Sequence, residues 1–492
     1  MKAKKSLTLL LALLMFTGTF ASCGESTANA DPSETTAGTQ TEAPSAEETE
    51  AETEPEISDN LPEKDFEGYD YRMFVRDQGG RGISLIAEEL TGDLLNDIVF
   101  NRNLAVADRF NINISFAYSA DEYGTDCTPS ILAGDDAYDL LAPHGRFAFE
   151  IALQGLTYEW NLLPYVNLDQ PWWDKGARES FTIHDKLYTT SGDICYLSLG
   201  QTMCLLFNKN LFDEYQIAYP YQDVLEGTWT WDKWEDIINT TTVDLDGDGT
   251  INWENDHLGY ATSVWGGLIN MQFGGGISIV SVTNGEPEIS FMTERTVEVF
   301  DRYFNLIEKG VNVDIDLGNA FRKGNVAFIS AGVHNAVTYR DMEDDFGIIP
   351  FPKYTEDMEY RSCVEGGTNL FLVPITVSDL ERSSIILEAL ASESYKNLIP
   401  QYYEIVLKTK HVRDPESSQI IDILRGSRVY DFGYYNMTIG LDSIPVNLYQ
   451  TYGNGDNLVS FYQSKEKVAA KMLQKLMEKY DKIVEQQAAL LP

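Results

Sequence analysis

Apolar positions recur along this chain in two rhythms, one of period two and one near 3.6, and the two alternate. Tyr69 to Val75 reads as a strand and opens into the polar loop Arg76-Asp77-Gln78-Gly79-Gly80. Leu94 to Arg109 carries Ile98, Val99 and Leu104 on one side of a helix, and Ile112, Ile114, Phe116 and Tyr118 then alternate as a strand does. The pattern returns with a strand over Tyr138 to Ala142, the turn Pro143-His144-Gly145-Arg146, and a helix through Ile151 and Leu153. Strand, helix, strand predicts an α/β fold. Ligands of open α/β sheets gather at the carboxyl ends of the strands, which makes His144 and Arg146 candidates.

Further along, strands are predicted over Lys186 to Thr190, Met203 to Phe207, Val326 to Ser330, Phe346 to Pro350 and Asn369 to Val373. Thr230 is placed to cap a helix with Trp231, Trp234, Ile237 and Ile238 at helical spacing, so both tryptophans belong to the core. Thr293 caps another, through Val297, Phe300, Tyr303, Phe304 and Ile307, closed by Gly310. Ser378-Asp379-Leu380-Glu381 has the form of a capping box opening a long helix that Pro400 should interrupt. Asp414-Pro415 is a second start signal. The chain ends in an amphipathic helix through Val468, Met472, Leu476, Tyr480 and Ile483. Trp160 to Trp173 reads as a packed surface loop, in which adjacent Trp172 and Trp173 would point to opposite sides if extended. Trp265-Gly266-Gly267 and Gly274-Gly275-Gly276 read as loops that let backbone approach something closely.

The N-terminus departs from both rhythms. Lys2, Lys4 and Lys5 precede an apolar run from Leu7 to Phe16, and small residues follow as far as Cys23. This predicts an export signal over residues 1–22, too short to span a bilayer. Phe20-Ala21-Ser22-Cys23 resembles the lipobox of bacterial lipoproteins, which implies that Cys23 is diacylated and anchors an extracytoplasmic protein to the cell membrane; the alternative is an ordinary cleaved signal with an incidental cysteine. Residues 23–62, rich in Ser, Thr, Ala, Glu and Pro, cannot bury enough to offset their ordering entropy and form an acidic tether. As a coil it reaches on the order of 35 Å.

The formal net charge of −41 extends beyond the tether into the body. It excludes nucleic acid as a partner, since phosphates demand Lys and Arg, and it excludes close docking on anionic lipid, leaving the anchor as the membrane contact. Cys127, Cys195, Cys204 and Cys363 form neither a disulfide framework nor a paired zinc spacing. Buried free thiols and a Cys195 to Cys204 bridge both remain open. Aromatic residues make up 12% of the chain, many of them beside Gly, Asp and Asn, where rings suit sugar faces as well as cores.

The most specific local motif is Asp244-Leu245-Asp246-Gly247-Asp248-Gly249-Thr250-Ile251-Asn252. Alternate carboxylates, glycine at the sixth position and an aliphatic residue at the eighth match a calcium loop, with Asp244, Asp246, Asp248 and Thr250 as ligands of a structural ion. The twelfth position, where a bidentate acid is needed, holds Asn255, with Glu254 before it and Asp256 after it. An Asp/Gly-rich turn without metal is the other reading.

Several stretches taken in order resemble the bacterial extracellular solute-binding proteins that feed ABC importers, in their carbohydrate branch. Leu206-Phe207-Asn208-Lys209-Asn210-Leu211-Phe212 looks like the family's "YNKDLF" segment, and Thr228-Trp229-Thr230-Trp231-Asp232-Lys233-Trp234 like its "TWDE" helix start. Phe321-Arg322-Lys323-Gly324-Asn325-Val326-Ala327-Phe328 and Phe346-Gly347-Ile348-Ile349-Pro350-Phe351-Pro352-Lys353 are similar to its "F..GKAAM" and "G..PLPK" pair. The likeness runs from about Tyr69 to about Tyr435. It implies a two-lobed periplasmic-binding-protein-like class II fold with discontinuous lobes and a cleft between them. The lobes would be residues 63–192 with 365–403, and 193–364 with 404–492, crossing near Gly192, Tyr360 and Tyr402. It further implies a monomer that captures a carbohydrate, an oligosaccharide by preference, and delivers it to a permease. Asp193 stands where sugar binders place an acid, His334 where many have a stacking tryptophan, and Gly145 where some carry an acid before Arg146. Asp77, Trp265, Glu365 and Tyr434 join His144 and Arg146 as cleft candidates on loop position alone. A surface glycoside hydrolase is the competing reading and would need two carboxylates flanking a cleft. No GxSxG, HExxH or P-loop pattern supports other hydrolytic chemistry.

Overall fold

The computed structural model describes residues 57–77, 82–309, 312–313, 315–407, 416–451 and 457–488. The export signal, Cys23 and the tether up to residue 56 lie outside them, as do Gly79, Gly80, Gly310 and Asp414-Pro415. Residues 58–492 form one unit, built around two sheets.

The first sheet is parallel throughout, ordered β2-β1-β3 from β1 (Tyr69–Val75), β2 (Ile112–Tyr118) and β3 (Leu140–Ala142). Tyr71, Met73 and Val75 are fully buried on one face and Phe74 is buried on the other, so the carboxyl half of the strand is covered on both faces. Helix α1 (Leu94–Phe110), capped by Asp93, returns the chain from β1 to β2. Chain from far downstream completes this layer: Leu141 and Leu372 exchange backbone hydrogen bonds of 2.9 and 3.1 Å, and Phe371 N–H reaches Thr190 O at 2.9 Å. The expected strands over 186–190 and 369–373 are thus single bridges rather than runs.

The second sheet is mixed, ordered β8-β4-β7-β5-β6 from β4 (Met203–Asn208), β5 (Leu258–Thr262), β6 (Asn312–Val313), β7 (Val326–Gly332) and β8 (Phe346–Ile349). β5 runs parallel to β6 and β7, while β4 is antiparallel to β7 and β8. Its core is aromatic. Trp229, Trp231 and Trp234 at the start of α3 (Trp231–Thr241) are fully buried, and Trp234 packs edge-on to Tyr260 at 5.0 Å and near Phe351 at 5.0 Å. Burying rings of this size contributes roughly 1.5–3 kcal/mol each.

Several expectations are corrected. Trp265, Gly266, Gly267 and Gly274 lie on a helix, α4 (Val264–Gly274), not on loops, whereas Gly275 and Gly276 form the turn that follows it; Gly274 has no room for a side chain because the Phe351 ring lies 2.5 Å from where a Cβ would sit. Trp160, Trp172 and Trp173 are core residues. A turn at 171–173 lets both adjacent indoles face one way and donate to the two oxygens of Glu388 at 3.0 and 2.9 Å. Thr293 does cap α5 (Glu294–Glu308), in a reciprocal box with Thr296. The cap of α6 (Leu380–Glu393) is Asp379, whose carboxylate accepts from Arg382 N–H, rather than Ser378. Pro400 does not end the helix: a π-helical turn over Ser394–Leu398 precedes α7 (Ile399–Leu407), and the widened turn accommodates the residue that cannot donate. All four cysteines of the body are buried free thiols.

After α8 (Ser417–Gly426) the chain ends in the 31-residue α9 (Leu458–Ala488). Its buried face runs through Tyr462, Ala469, Leu473, Leu476, Tyr480 and Ile483, whereas Val468 is 59% exposed. The expected stripe was therefore rotated in its first half. Tyr462 stacks on Phe291 at 5.8 Å, before α5, while Tyr480 packs edge-on to Tyr188 at 5.2 Å and donates to Lys186 O at 3.1 Å. One helix thereby touches the segments associated with both sheets.

Candidate functional site

Strand direction decides where side chains can meet. β1 and β3 deliver Arg76, Asp77, His144 and Arg146 at one edge of the first sheet, and the parallel strands β5 and β7 deliver Trp265 and His334 at one edge of the second. The two carboxyl edges are drawn together by crossing chain. Thr202, leading into β4, bridges Val364; Glu365 N–H donates to Gln201 O at 2.9 Å, and His334 N–H to Gly200 O at 3.0 Å. Just beyond, Gly145 N–H reaches Thr368 O at 2.7 Å. A Cβ on Gly145 would lie 2.9 Å from the Tyr435 ring and 3.1 Å from Thr368 O, so only glycine fits and no acid can stand there.

That approach fixes Arg146. α2 (Gly145–Ala152) starts at His144, whose Nδ1 accepts from Arg146 N–H at 3.2 Å. The Arg146 guanidinium is ion-paired with Asp442 and lies 4.9 Å from the Tyr434 ring and 5.4 Å from the Trp265 ring. Tyr434 is buried and accepts Gly366 N–H at 3.1 Å. Burial, then the charge of Glu365, pushes its phenol well above the ordinary range. Burial also raises the Asp442 carboxyl, although Arg146 opposes it. Trp265, 41% exposed, presents an indole to solvent against this charged and aromatic backing. Flanking Arg146 in sequence, Phe147 stacks on Tyr123 at 4.0 Å with His144 edge-on to both rings. The structure thus gathers His144, Arg146, Trp265, Glu365 and Tyr434.

Other candidates lie elsewhere. Asp77 accepts Gly82 N–H at 3.2 Å. His334 Nδ1 meets Gly200 O at 2.7 Å, placing it one residue from the Gln201 contact of Glu365. Asp193 is buried and accepts Arg425 Nη2 at 2.5 Å, next to an Arg428 to Asp174 pair at 2.8 Å and a Tyr430 Oη to Ser191 Oγ bond of 3.0 Å. Burial raises its carboxyl against the pull of both arginines, so this cluster fixes residues 191–193 to the last turn of α8 and the segment after it. Sequence reading had no means of finding Tyr123, Asp442, Arg425 or Arg428, whose partners lie far away along the chain. A crevice of ≈ 680 Å³ opens between Asp93 and Leu94 at the start of α1 and Val337, Arg340 and Asp341 after β7, with Ile405 behind. Both walls follow carboxyl strand ends.

In the acidic loop, the carboxylates that converge within 4.8 Å are those of Asp244, Asp246 and Asp256. Asp244 accepts Gly247 and Gly249 N–H at 2.7 and 2.8 Å, with both glycines at positive φ. Asp256, the thirteenth residue, accepts Leu245 and Asn252 N–H at 2.9 and 2.8 Å, which lowers its carboxyl. Asp248 instead accepts Thr250 N–H at 2.7 Å. Three oxygens of this type suit a hard cation, and further ligands would have to come from backbone or water.

Two α/β layers with facing strand ends, joined by several crossing segments, define the class: a two-lobed binding fold of the periplasmic type. Among solved structures the chain is similar in fold to several binding proteins. The cyclic α-maltosyl-1,6-maltose binding protein of Arthrobacter globiformis matches with a TM-score of 0.58 at 15% identity, over 83% of this chain and 100% of that one. The UgpB of Mycobacterium tuberculosis, in complex with glycerophosphocholine, gives 0.56 at 15% over 83% and 99%. An ABC substrate-binding protein of Listeria monocytogenes, in complex with cycloalternan, gives 0.55 at 14% over 83% and 99%. No family model and no curated protein sequence matches the chain.

Proposed function

We propose that the chain captures an oligosaccharide between its two lobes and delivers it to the permease of an ABC importer on the outer side of the cell membrane. The observation that carries this reading is the exposed Trp265 indole, backed by Arg146 and Tyr434, at the meeting of the two carboxyl edges in a fold whose solved examples include carbohydrate-binding proteins. An indole face receives the C–H face of a pyranose, while guanidinium and carboxylate groups receive hydroxyls. The ligand stabilises a closed arrangement because it touches both lobes at once. A surface hydrolase gains nothing from the fold neighbours, which are binding proteins, and the Asp442 carboxylate is committed to Arg146.

Thermal unfolding of the full chain against a glycan panel, with product analysis of the same samples, tests the reading. Stabilisation without turnover supports it, since a ligand that binds only the folded state raises apparent stability; turnover refutes it. Mooring through diacylated Cys23 belongs to the same proposal, as does a monomeric state. A mature N-terminal peptide without a diacylglycerol mass increment would overturn the first, and a concentration-independent dimer in sedimentation the second. No helix among the described residues is long and apolar enough to cross a membrane.

A further inference from the structure

We propose that the ligand is an acidic oligosaccharide whose chain leaves the cleft at Arg146, follows α2 and enters a cavity under α9, where Lys475 and Lys479 receive its carboxylate or sulfate groups. The inference rests on the carbohydrate reading above and narrows it to a charge class and a minimum length.

The cavity measures ≈ 690 Å³, within the range of roughly 300–1,000 Å³ usual for small-molecule sites. Arg146 borders both spaces: its guanidinium lies 5.4 Å from the Trp265 ring, and the same residue lines the cavity, as do Leu153 and Gln154 one to two turns further along the chain. From residue 146 to 154 the helical path is about 12 Å, which a monosaccharide held at Trp265 cannot bridge. Around the wall, Gln154, Asn436 and Thr438 alternate with Leu153, Met437 and Met472. Hydrogen-bonding groups interspersed with apolar ones suit a chain that carries hydroxyls on its edges and C–H groups on its faces, and suit an acyl chain poorly.

Charge supplies the class. Arg146 is matched by Asp442, which leaves Lys475 and Lys479 facing Glu150 as the one acid in the cavity lining. Lys467, Lys471, Lys475 and Lys479 recur every fourth residue, so they share one face of α9, and all four are exposed. Neither Lys475 nor Lys479 has an ion-pair partner among the described residues. A chain with 77 acidic against 36 basic residues repels anionic ligands as a whole; a basic row beside a cavity that shares Arg146 with the cleft reverses that locally.

The test is calorimetric titration of the full chain with tri-galacturonate, tri-mannuronate and a sulfated galactotriose, each paired with its neutral counterpart of equal length. The readout is the ratio of acidic to neutral affinity in the wild type and in the double variant Lys475→Gln, Lys479→Gln, whose exposed positions spare the fold. At least one acidic member should bind more tightly than its neutral partner, and its ratio should fall about tenfold in the double variant and shrink as salt is raised. A preference for neutral chains, or a ratio indifferent to the two lysines, overturns the acidic assignment while leaving carbohydrate capture intact. Failure of every glycan, acidic or neutral, overturns both.

Discussion

Glu388 on α6 offers the sharpest test of the packing described above. Its two carboxylate oxygens take the indole N–H groups of Trp172 and Trp173 at 3.0 and 2.9 Å. Burial pushes its pKa from 4.5 up to about 7, with the two indole bonds opposing the rise. The folded value lies above the unfolded one, so the neutral form is favoured by folding. That contribution to stability is complete below the unfolded value of 4.5 and is lost as pH rises through about 7. A shift of this size corresponds to on the order of 3 kcal/mol. Glu388→Gln cannot ionise, and its single carbonyl satisfies only one indole, so it forfeits roughly 1 kcal/mol at every pH but has no titration of its own. Urea unfolding of wild type and variant from about pH 5 to about pH 8 should therefore show their stability difference shrinking, or reversing, by roughly 2–3 kcal/mol. Indole N–H resonances of the two tryptophans should move with the same midpoint. Parallel stability curves, or indole shifts confined to the ordinary carboxylate range, would refute the reasoning.

Trp265→Ala should weaken glycan binding about tenfold while leaving the thermal midpoint nearly unchanged, because the ring is exposed and under the proposed function would stack on ligand rather than core; an equal loss of stability would contradict this. Gly259→Ala should destabilise by roughly 1–3 kcal/mol in denaturant titration, since a Cβ on β5 would overlap the Ile238 carbonyl of α3. Calcium should raise the thermal midpoint and chelator lower it, with Asp256→Asn removing the response; a response unaffected by that variant would place the ion elsewhere. Asp431 accepts from Ile279 N–H at 2.8 Å and Tyr434 N–H at 2.9 Å, so Asp431→Ala should cost roughly 2–4 kcal/mol in the same titration.

Elements with a strong local rhythm were legible in the chain itself. β1, α1, β2 and the helix opening at Trp231 lie where periodicity and caps put them, because their register depends on residues close in sequence. Segments 186–190 and 369–373 have strand composition but meet their partners only at isolated bridges, and nothing local reports how briefly a segment pairs. The glycines after Trp265 looked like loop markers, yet they are small because Phe351, Thr262 and Tyr303 crowd that helix. At the site, Arg146 and His144 were found from strand-end position alone. Asp442, 296 residues away from Arg146, is joined to it only by the fold. The converse holds for Asp193, whose sequence setting suggested an open acid and whose carboxylate is instead held by Arg425.

The terminal helix is a rod of about 46 Å pinned at two distant points, by Tyr462 against Phe291 and by Tyr480 against Tyr188 and Lys186. A rod so fixed cannot shorten. Any swing of one half of the protein against the other must then be taken up as slippage at one of these two seams. Whichever seam yields first determines the half with which the rod travels, and so sets how far the jaws can part.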